Sequence, residues 1–359
     1  MRSLLTVVLL LFAGPVMAAI TVSDIIGREV RLEAPAQRIV LGEGRHMAVL
    51  GLLHDDPVSR VVGWRLDKAL DDPTLAAYRQ AFPAIDRIVP VGAGNRNISI
   101  ESVISLNPDL VVLSLMDVGD TANDRAREQI EAAGIPVVYV DFFSHPQENS
   151  IPSLKILGQL TGAETRAGEF AEFYETRLNR IRERLADPGI ERPSVFFHVH
   201  AAPVNCCSTV GGGVFSDFIA TAGGRNIGAD AVPGVLGNVS LEFLIGADPD
   251  FYIATGGTHM AARGGLVLGS GVDRAEAEAG FARLIAAPGF SSLRAVEQGR
   301  VAGVWHMFND TPLHIALIEY LARTFHPDLF GDLDPEQTLA EIEERFSPVS
   351  VPGTWWVSP

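Results

Sequence analysis

Between Glu164 and Ala186 the chain runs without a proline and with one early glycine, and this stretch constrains the fold more than any other. Phe170, Phe173, Leu178, Ile181 and Leu185 recur at three-to-five spacing, while Arg and Glu fill the opposite face. The spacing predicts a helix of about six turns, roughly 34 Å long at 1.5 Å per residue. Asp187-Pro188-Gly189 closes it. Strand–helix alternation flanks it on both sides. Before it, Arg38–Leu41, Arg60–Gly63, Ile88–Val91, Leu110–Leu113 and Val137–Val140 read as strands. Helix-compatible stretches such as Ala48–Leu53, Ile100–Leu106 and Asn123–Ala133 lie between them. After it, Ser194–His200, Phe251–Ala254 and Arg300–Val304 alternate with Phe215–Ala222, Leu241–Ile245 and Phe281–Ile285. The pattern is that of two α/β lobes with largely parallel sheets, and a helix this long carries the chain from one to the other.

The beginning of the sequence fixes the compartment. A short basic start (Met1-Arg2-Ser3) leads into an apolar run from Leu4 to Phe12, then Gly14-Pro15 and the small residues around Ala18. This reads as a cleavable secretory signal, too short to span a bilayer. The expected organisation is a signal peptide over 1–19, a first lobe over 20–150, a helical connection over 151–187 and a second lobe over 188–359. Removing Arg2 takes the charge to 27 − 44 = −17, which argues against a general nucleic-acid binder. Apolar residues make up 47% of the chain, enough for two cores. No cysteine lies near the cut, so the expected product is a soluble exported protein without a lipid anchor there.

The chain also repeats itself. Asn97 to Ser114 is echoed by Asn238 to Thr255, with Asn, Ser, Glu, Ile, Pro and Asp identical at matched positions. In each copy a serine, Ser99 or Ser240, is placed to cap a helix, and Glu101 or Glu242 falls in its first turn, where the helix dipole favours a carboxylate. One such glutamate per lobe suggests a pseudo-symmetric partner surface.

Taken in order, these segments resemble the periplasmic binding proteins that feed ABC importers of iron–siderophore complexes, haem and vitamin B12. The residues that carry the resemblance are the Val22–Val30 hairpin, Arg38-Ile39-Val40, and Ile98–Glu101 leading to Asn107–Val112. Ala222-Gly223-Gly224-Arg225-Asn226-Ile227 continues it. The tail from Trp305-His306-Met307-Phe308 through His326-Pro327 to Trp355-Trp356 is most similar to the iron-complex branch. The resemblance implies two Rossmann-like α/β lobes joined by a single long helix, with a ligand cleft between them. It also implies that Glu101 and Glu242 meet arginines of a two-subunit permease.

In open α/β sheets ligands bind beyond the carboxyl ends of the strands. In the first lobe these ends present Arg45, Trp64-Arg65 and Arg96. Three strand-end arginines in an acidic protein suggest a basic pocket for an anionic chelate, since arginine binds carboxylate or catecholate oxygens bidentately. The second lobe offers His259, Arg263 and Trp305-His306-Met307-Phe308. Trp305 and Phe308 read either as an apolar wall for a large organic ligand or as core. His198 and His200 alternate on a strand and read as satisfied buried histidines. The adjacent Cys206 and Cys207 leave three alternatives open: a vicinal disulfide, two free thiols or an intermolecular bridge.

The function expected from this is capture of a ferric siderophore in the periplasm and its delivery to an inner-membrane ABC permease dimer. The protein is expected to act as a monomer, with no catalytic residues, no resident cofactor and no metal site of its own. A haem or corrinoid carrier of the same class is the alternative. A secreted enzyme lacks its signatures here: there is no Gly-x-Ser-x-Gly elbow after a strand and no His-Glu-x-x-His.

Overall fold

The computed structural model describes residues 19–66, 68–92, 97–203 and 206–359, so the signal segment before Ala19 and Arg96 lie outside the described residues. The chain opens with an antiparallel hairpin, β1 (Ile20–Ser23) and β2 (Glu29–Leu32), turned at Gly27, whose φ of +83° favours glycine. Five parallel strands follow: β3 (Ile39–Leu41), β4 (Val61–Trp64), β5 (Val89–Pro90), β6 (Leu110–Ser114) and β7 (Val137–Val140). Their order in the sheet is β5-β4-β3-β6-β7. The connecting helices are α1 (His46–Leu53), α2 (Asp72–Ala81), α3 (Ile100–Ser105) and α4 (Thr121–Ala132). Every residue of β3, β6 and β7 is buried, as befits strands covered on both faces.

Two helices leave this lobe, α5 (Pro146–Thr161) and α6 (Glu164–Arg184). Gly162, with φ +74°, ends the first and allows the second to fold back on it. The periodic residues of α6 are buried as their spacing predicts, Phe170 and Ile181 completely. This helix packs against α1 and α5 of the first lobe and against α11 (His314–Phe325) of the second.

The second lobe is built on β8 (Ser194–His198), β9 (Ser208–Val210), β10 (Arg225–Asn226), β11 (Leu236–Asn238), β12 (Phe251–Gly256), β14 (Val301–Trp305) and β16 (Trp356–Val357). A small antiparallel pair, β13 (Gly269–Ser270) with β15 (Gly353–Thr354), stands apart. The main sheet runs β11-β9-β8-β12-β14-β16, with β10 also pairing β8. Strands β8, β12 and β14 are parallel, whereas β9, β11 and β16 add antiparallel pairings. Its helices are α7 (Val214–Thr221), α8 (Leu241–Ala247), α9 (Arg274–Ile285), α10 (Arg294–Glu297), α11 (His314–Phe325), α12 (Pro327–Phe330) and α13 (Pro335–Phe346).

The fold is therefore the expected one: two α/β lobes and a long connecting helix. Two details differ from the sequence reading. The strand expected to reach His200 stops at His198, because His200 adopts a φ of +51°. The helix expected from Phe281 starts at Arg274, because the Asp273 carboxylate accepts the backbone N–H groups of Ala275 and Glu276.

The sequence repeat is a repeat of structural devices. Ser99 and Ser240 cap α3 and α8, accepting from the Ser102 and Phe243 N–H groups. Asn107 and Asp248, matched in sequence, both take left-handed backbone angles, with φ of 45° and 41°. Asp109 accepts from Gln37 and Arg38 N–H ahead of β3, and Asp250 accepts from Ser194 N–H at the start of β8. Each aspartate thus ties its own strand to the first strand of its main sheet.

The long helix is locked by the carboxyl-terminal segment. Phe346 meets Phe170 edge-to-face at 5.1 Å, and Arg166 donates to the Phe346 carbonyl. Phe170→Ala should lower the free energy of unfolding by about 3–5 kcal/mol, the scale for deleting a buried Phe. Chemical denaturation checks this, and a loss below about 1 kcal/mol would remove the Phe170 contact from the description of what joins the lobes.

Candidate ligand cleft

The topological switch point of the first sheet lies between β3 and β6. The chain leaves β3 through Gly42, where a Cβ would sit 2.8 Å from Leu113 Cδ2 and 2.9 Å from the Val112 carbonyl oxygen. That close approach drops Glu43 into the interior, 1% exposed. Its carboxylate accepts from Arg45 Nε and Lys68 Nζ, each at 2.7 Å. Arg45 also ion-pairs with Asp310, beyond the end of β14, and so bridges the two lobes. Burial alone would raise Glu43, but His46, Arg45 and Lys68 hold it well below the usual carboxylate range. His46 is itself pulled down to about 4 by burial, so near pH 7 Arg45 and Lys68 supply that charge. Both cations lie over the ring of half-buried Phe143, at 5.3 and 5.9 Å from its centroid.

The other first-lobe candidates are placed differently. Arg65 is 1% exposed, and both terminal nitrogens of its guanidinium donate to Asp117 Oδ1 at 3.1 Å. Trp64 is packed in the core. The arginines expected to stand together as a basic pocket are thus met by carboxylates at Arg45 and Arg65, because a buried guanidinium requires a counter-charge. Lys68, Phe143 and Asp310 were missed by reading strand ends for arginine. Their signal was available, since each follows the end of a strand by a few residues.

In the second lobe, three parallel strands are each followed by a histidine. His200 follows β8, His259 follows β12 and His306 follows β14. His200 Nδ1 and His259 Nε2 are 2.8 Å apart. The His306 ring lies 4.0 Å from that of His200, tilted by 35°. Thr255 Oγ1 accepts the His200 backbone N–H at 3.0 Å and bonds His306 Nδ1 at 3.1 Å. His259 is exposed, His200 half-buried and His306 buried. Burial pulls all three below their ordinary value, His200 to about 4, so each is neutral near pH 7. Here the sequence reading needs correction. His198 is a satisfied core residue, bonded to the Tyr252 hydroxyl and stacked on Phe290. His200 is not, because its left-handed backbone turns it out of the strand and toward His259. Arg263 is exposed, one turn beyond His259.

Between the lobes lies a cavity of about 450 Å³, lined on one side by Arg45, Leu52 and Tyr78 and on the other by Trp305, Met307 and Trp355. A wider depression of about 1280 Å³ lies at the opposite, amino-terminal ends of β8, β12 and β14, far from the strand ends that carry the histidines. Trp305 contributes to the wall of the inter-lobe cavity. Phe308 does not: it is fully buried and stacks on Trp356, supporting the wall from behind. Cys206 and Cys207 are joined in a disulfide, and Cys207 exchanges two backbone hydrogen bonds with Val239. Glu101 and Glu242 are both exposed, and each is followed three residues later by an exposed isoleucine, Ile104 or Ile245.

A model of the family described as periplasmic binding protein matches residues 66–304, well over half of the chain. The chain belongs to the periplasmic binding protein family. It is a substrate-binding protein of the ABC-importer type, a transport component. Among curated proteins it is 25% identical over 270 residues to YvrC of Bacillus subtilis, described as an uncharacterized ABC transporter substrate-binding lipoprotein. That match covers 74% of this chain and 76% of the relative. Among solved structures, the TroA-like periplasmic binding protein FepB from Veillonella parvula superposes with a TM-score of 0.87 at 28% identity. It covers 94% of this chain and 99% of its own. Helicobacter pylori CeuE, in a Ni-His complex, has a TM-score of 0.64 at 18% identity and covers 93% and 97%, which shows the shared fold. As a periplasmic binding protein the chain works outside the cytoplasm, and among the described residues no helix is long and apolar enough to cross a membrane.

The buried histidines set the pH response. His46, His198, His200 and His314 are pulled down by burial to about 4, and His306 well below its usual value. The unfolded chain takes up these protons near pH 6.5, the folded chain only at lower pH. Their contribution is therefore complete above about pH 6.5 and lost as pH falls toward 4. Asp310, pushed up to about 6 by burial, opposes them, and so do Asp117, Asp217 and Glu319, which burial also raises, but these are fewer than the histidines that must charge. The urea midpoint should fall between pH 7 and pH 5.5; an equal or higher midpoint at pH 5.5 would contradict the neutral-histidine description.

Proposed function

We propose that this protein captures a ferric siderophore in the periplasm, as a monomer freed of its signal peptide, and delivers it to the permease dimer of an ABC importer. One observation carries the reading: Arg45 and Lys68 lie side by side over Phe143 at the switch point of the first sheet, tied through Asp310 to the second lobe. Glu43 and Asp310 occupy only some of the N–H groups of Arg45 and Lys68, and the remaining donors, on an aromatic face, suit a large anionic chelate whose donors are themselves aromatic, such as a catecholate. Arg263 and His259, exposed beyond the end of β12, are assigned to the ligand from the second lobe, and the inter-lobe cavity beside Trp305 accepts its apolar parts. Arg65 acts by holding Asp117.

Tryptophan quenching, titrated with a panel of ferric siderophores, tests this. An anionic ferric catecholate should bind more tightly than an uncharged ferric hydroxamate. Lys68→Met should weaken the anionic ligand by about 1.5–3 kcal/mol, the range for a charged hydrogen bond, while Arg45 keeps Glu43 paired. Equal affinity for both ligand classes would reject the basic-cleft reading. A second reading, haem or corrinoid binding, is favoured by the exposed neutral imidazole of His259. A Soret band in the purified protein, or its absence after incubation with haemin, decides between the two.

Delivery is assigned to the paired surface of Glu101–Ile104 and Glu242–Ile245. Two carboxylates at matched sites, one per lobe, suit a permease with two equivalent basic patches. The double variant Glu101→Lys/Glu242→Lys should retain ligand affinity and thermal stability but lose transport in a reconstituted uptake assay. Uptake at the normal rate would remove the docking role, and loss of ligand binding would move the glutamates to the cleft.

A further inference from the structure

We infer that His200 and His259 coordinate the metal of the ligand directly, so that the preferred substrate is a chelate with two adjacent coordination positions left open. The inference rests on the metal-chelate reading above and narrows its substrate class.

Its geometric basis is the 2.8 Å separation of His200 Nδ1 and His259 Nε2. Two imidazole nitrogens bound to one metal at about 2.0–2.1 Å, at a right angle, stand about 2.9 Å apart. The pair is already set at that bite. A proton now joins the two nitrogens, and a metal ion would take its place. Each ring then carries its own proton on the other nitrogen, Nε2 of His200 and Nδ1 of His259, so both lone pairs face the metal and no net proton is released.

The surroundings hold this arrangement at some expense. His200 keeps a left-handed backbone that non-glycine residues seldom adopt. A Cβ at Gly257 would stand 2.8 Å from the His259 ring, so glycine makes room for the ring to fold back over the strand end. Thr255 fixes both the His200 backbone and the His306 ring, and His306 packs against His200 from below. His306 is in this sense a positioning residue. Two donors do not make a cage: among the described residues no group of three or more His, Cys, Asp or Glu is placed to hold a metal ion. The ion must arrive with most of its ligands, which the cations of the first lobe can grip. The two open positions of a metalloporphyrin lie on opposite faces, so a neighbouring pair of nitrogens cannot fill both.

The test compares two nickel chelates. Ni(II)–nitrilotriacetate leaves two adjacent positions open, whereas Ni(II)–EDTA fills them and carries more negative charge. Calorimetric titration should show the first binding at least tenfold more tightly, against the order that charge alone dictates. The nickel d–d bands should move to higher energy as nitrogen replaces water. His200→Asn, which tolerates the left-handed backbone, and His259→Gln should each erase the preference and the spectral shift, with unchanged circular dichroism. His145→Gln, an exposed histidine elsewhere, should change neither. Equal affinity for the two chelates, or a preference that survives both cleft variants, overturns the inference. So does failure of both nickel chelates to bind while a ferric catecholate still quenches tryptophan, an outcome that leaves the transport reading standing. If no chelate of any kind binds, both readings fall together.

Discussion

The ion cluster of Glu43, Arg45, Lys68 and Asp310 is the interaction on which the arrangement of the cleft depends. Glu43 and Asp310 are almost wholly buried, and a carboxylate removed from water persists only when paired and hydrogen-bonded. Arg45 satisfies one carboxylate from each lobe. The distance between the two sheets at their carboxyl ends is thus tied to a side-chain contact as well as to the backbone. Lys68, which shares Glu43 with Arg45, is the more exposed of the two cations.

The two lobes solve the same packing problem with the same few residues. Asp109 and Asp250 brace the first strand of each sheet, Asn107 and Asp248 turn the chain out of a short helix, and Ser99 and Ser240 begin that helix. Because those helices are fixed alike, Glu101 with Ile104 and Glu242 with Ile245 emerge at equivalent places on the surface. The matched pairs follow from the repeated fold.

Where the lobes differ, the cleft acquires its chemistry. The first lobe presents charge and a phenylalanine ring, while the second presents neutral imidazoles and indoles. The histidines come from three loops spread over more than a hundred residues of sequence, brought together because β8, β12 and β14 are neighbours in the sheet. Burial keeps them neutral, so their lone pairs are available at the pH where the protein works.

The sequence by itself determined the elements and their order. Apolar periodicity reports which face of a helix or strand is buried, and it located the long helix, the parallel strands and the repeat with its capping serines. It also identified Arg45, His259 and His306 as residues beyond strand ends. Only the tertiary structure decided what those residues meet. Whether a strand-end arginine faces ligand or a carboxylate depends on partners far away in the chain, as Arg65 with Asp117 and Arg45 with Asp310 demonstrate. His200 was read as core because strand alternation assumes an extended backbone, and a single residue with φ of +51° breaks that assumption. Phe308, an aromatic beyond a strand end like Trp305, was assigned to its support when the carboxyl-terminal strand laid Trp356 against it. Local pattern reports burial; which groups face one another across a cleft is a property of strand order and chain crossings, and no window of sequence contains it.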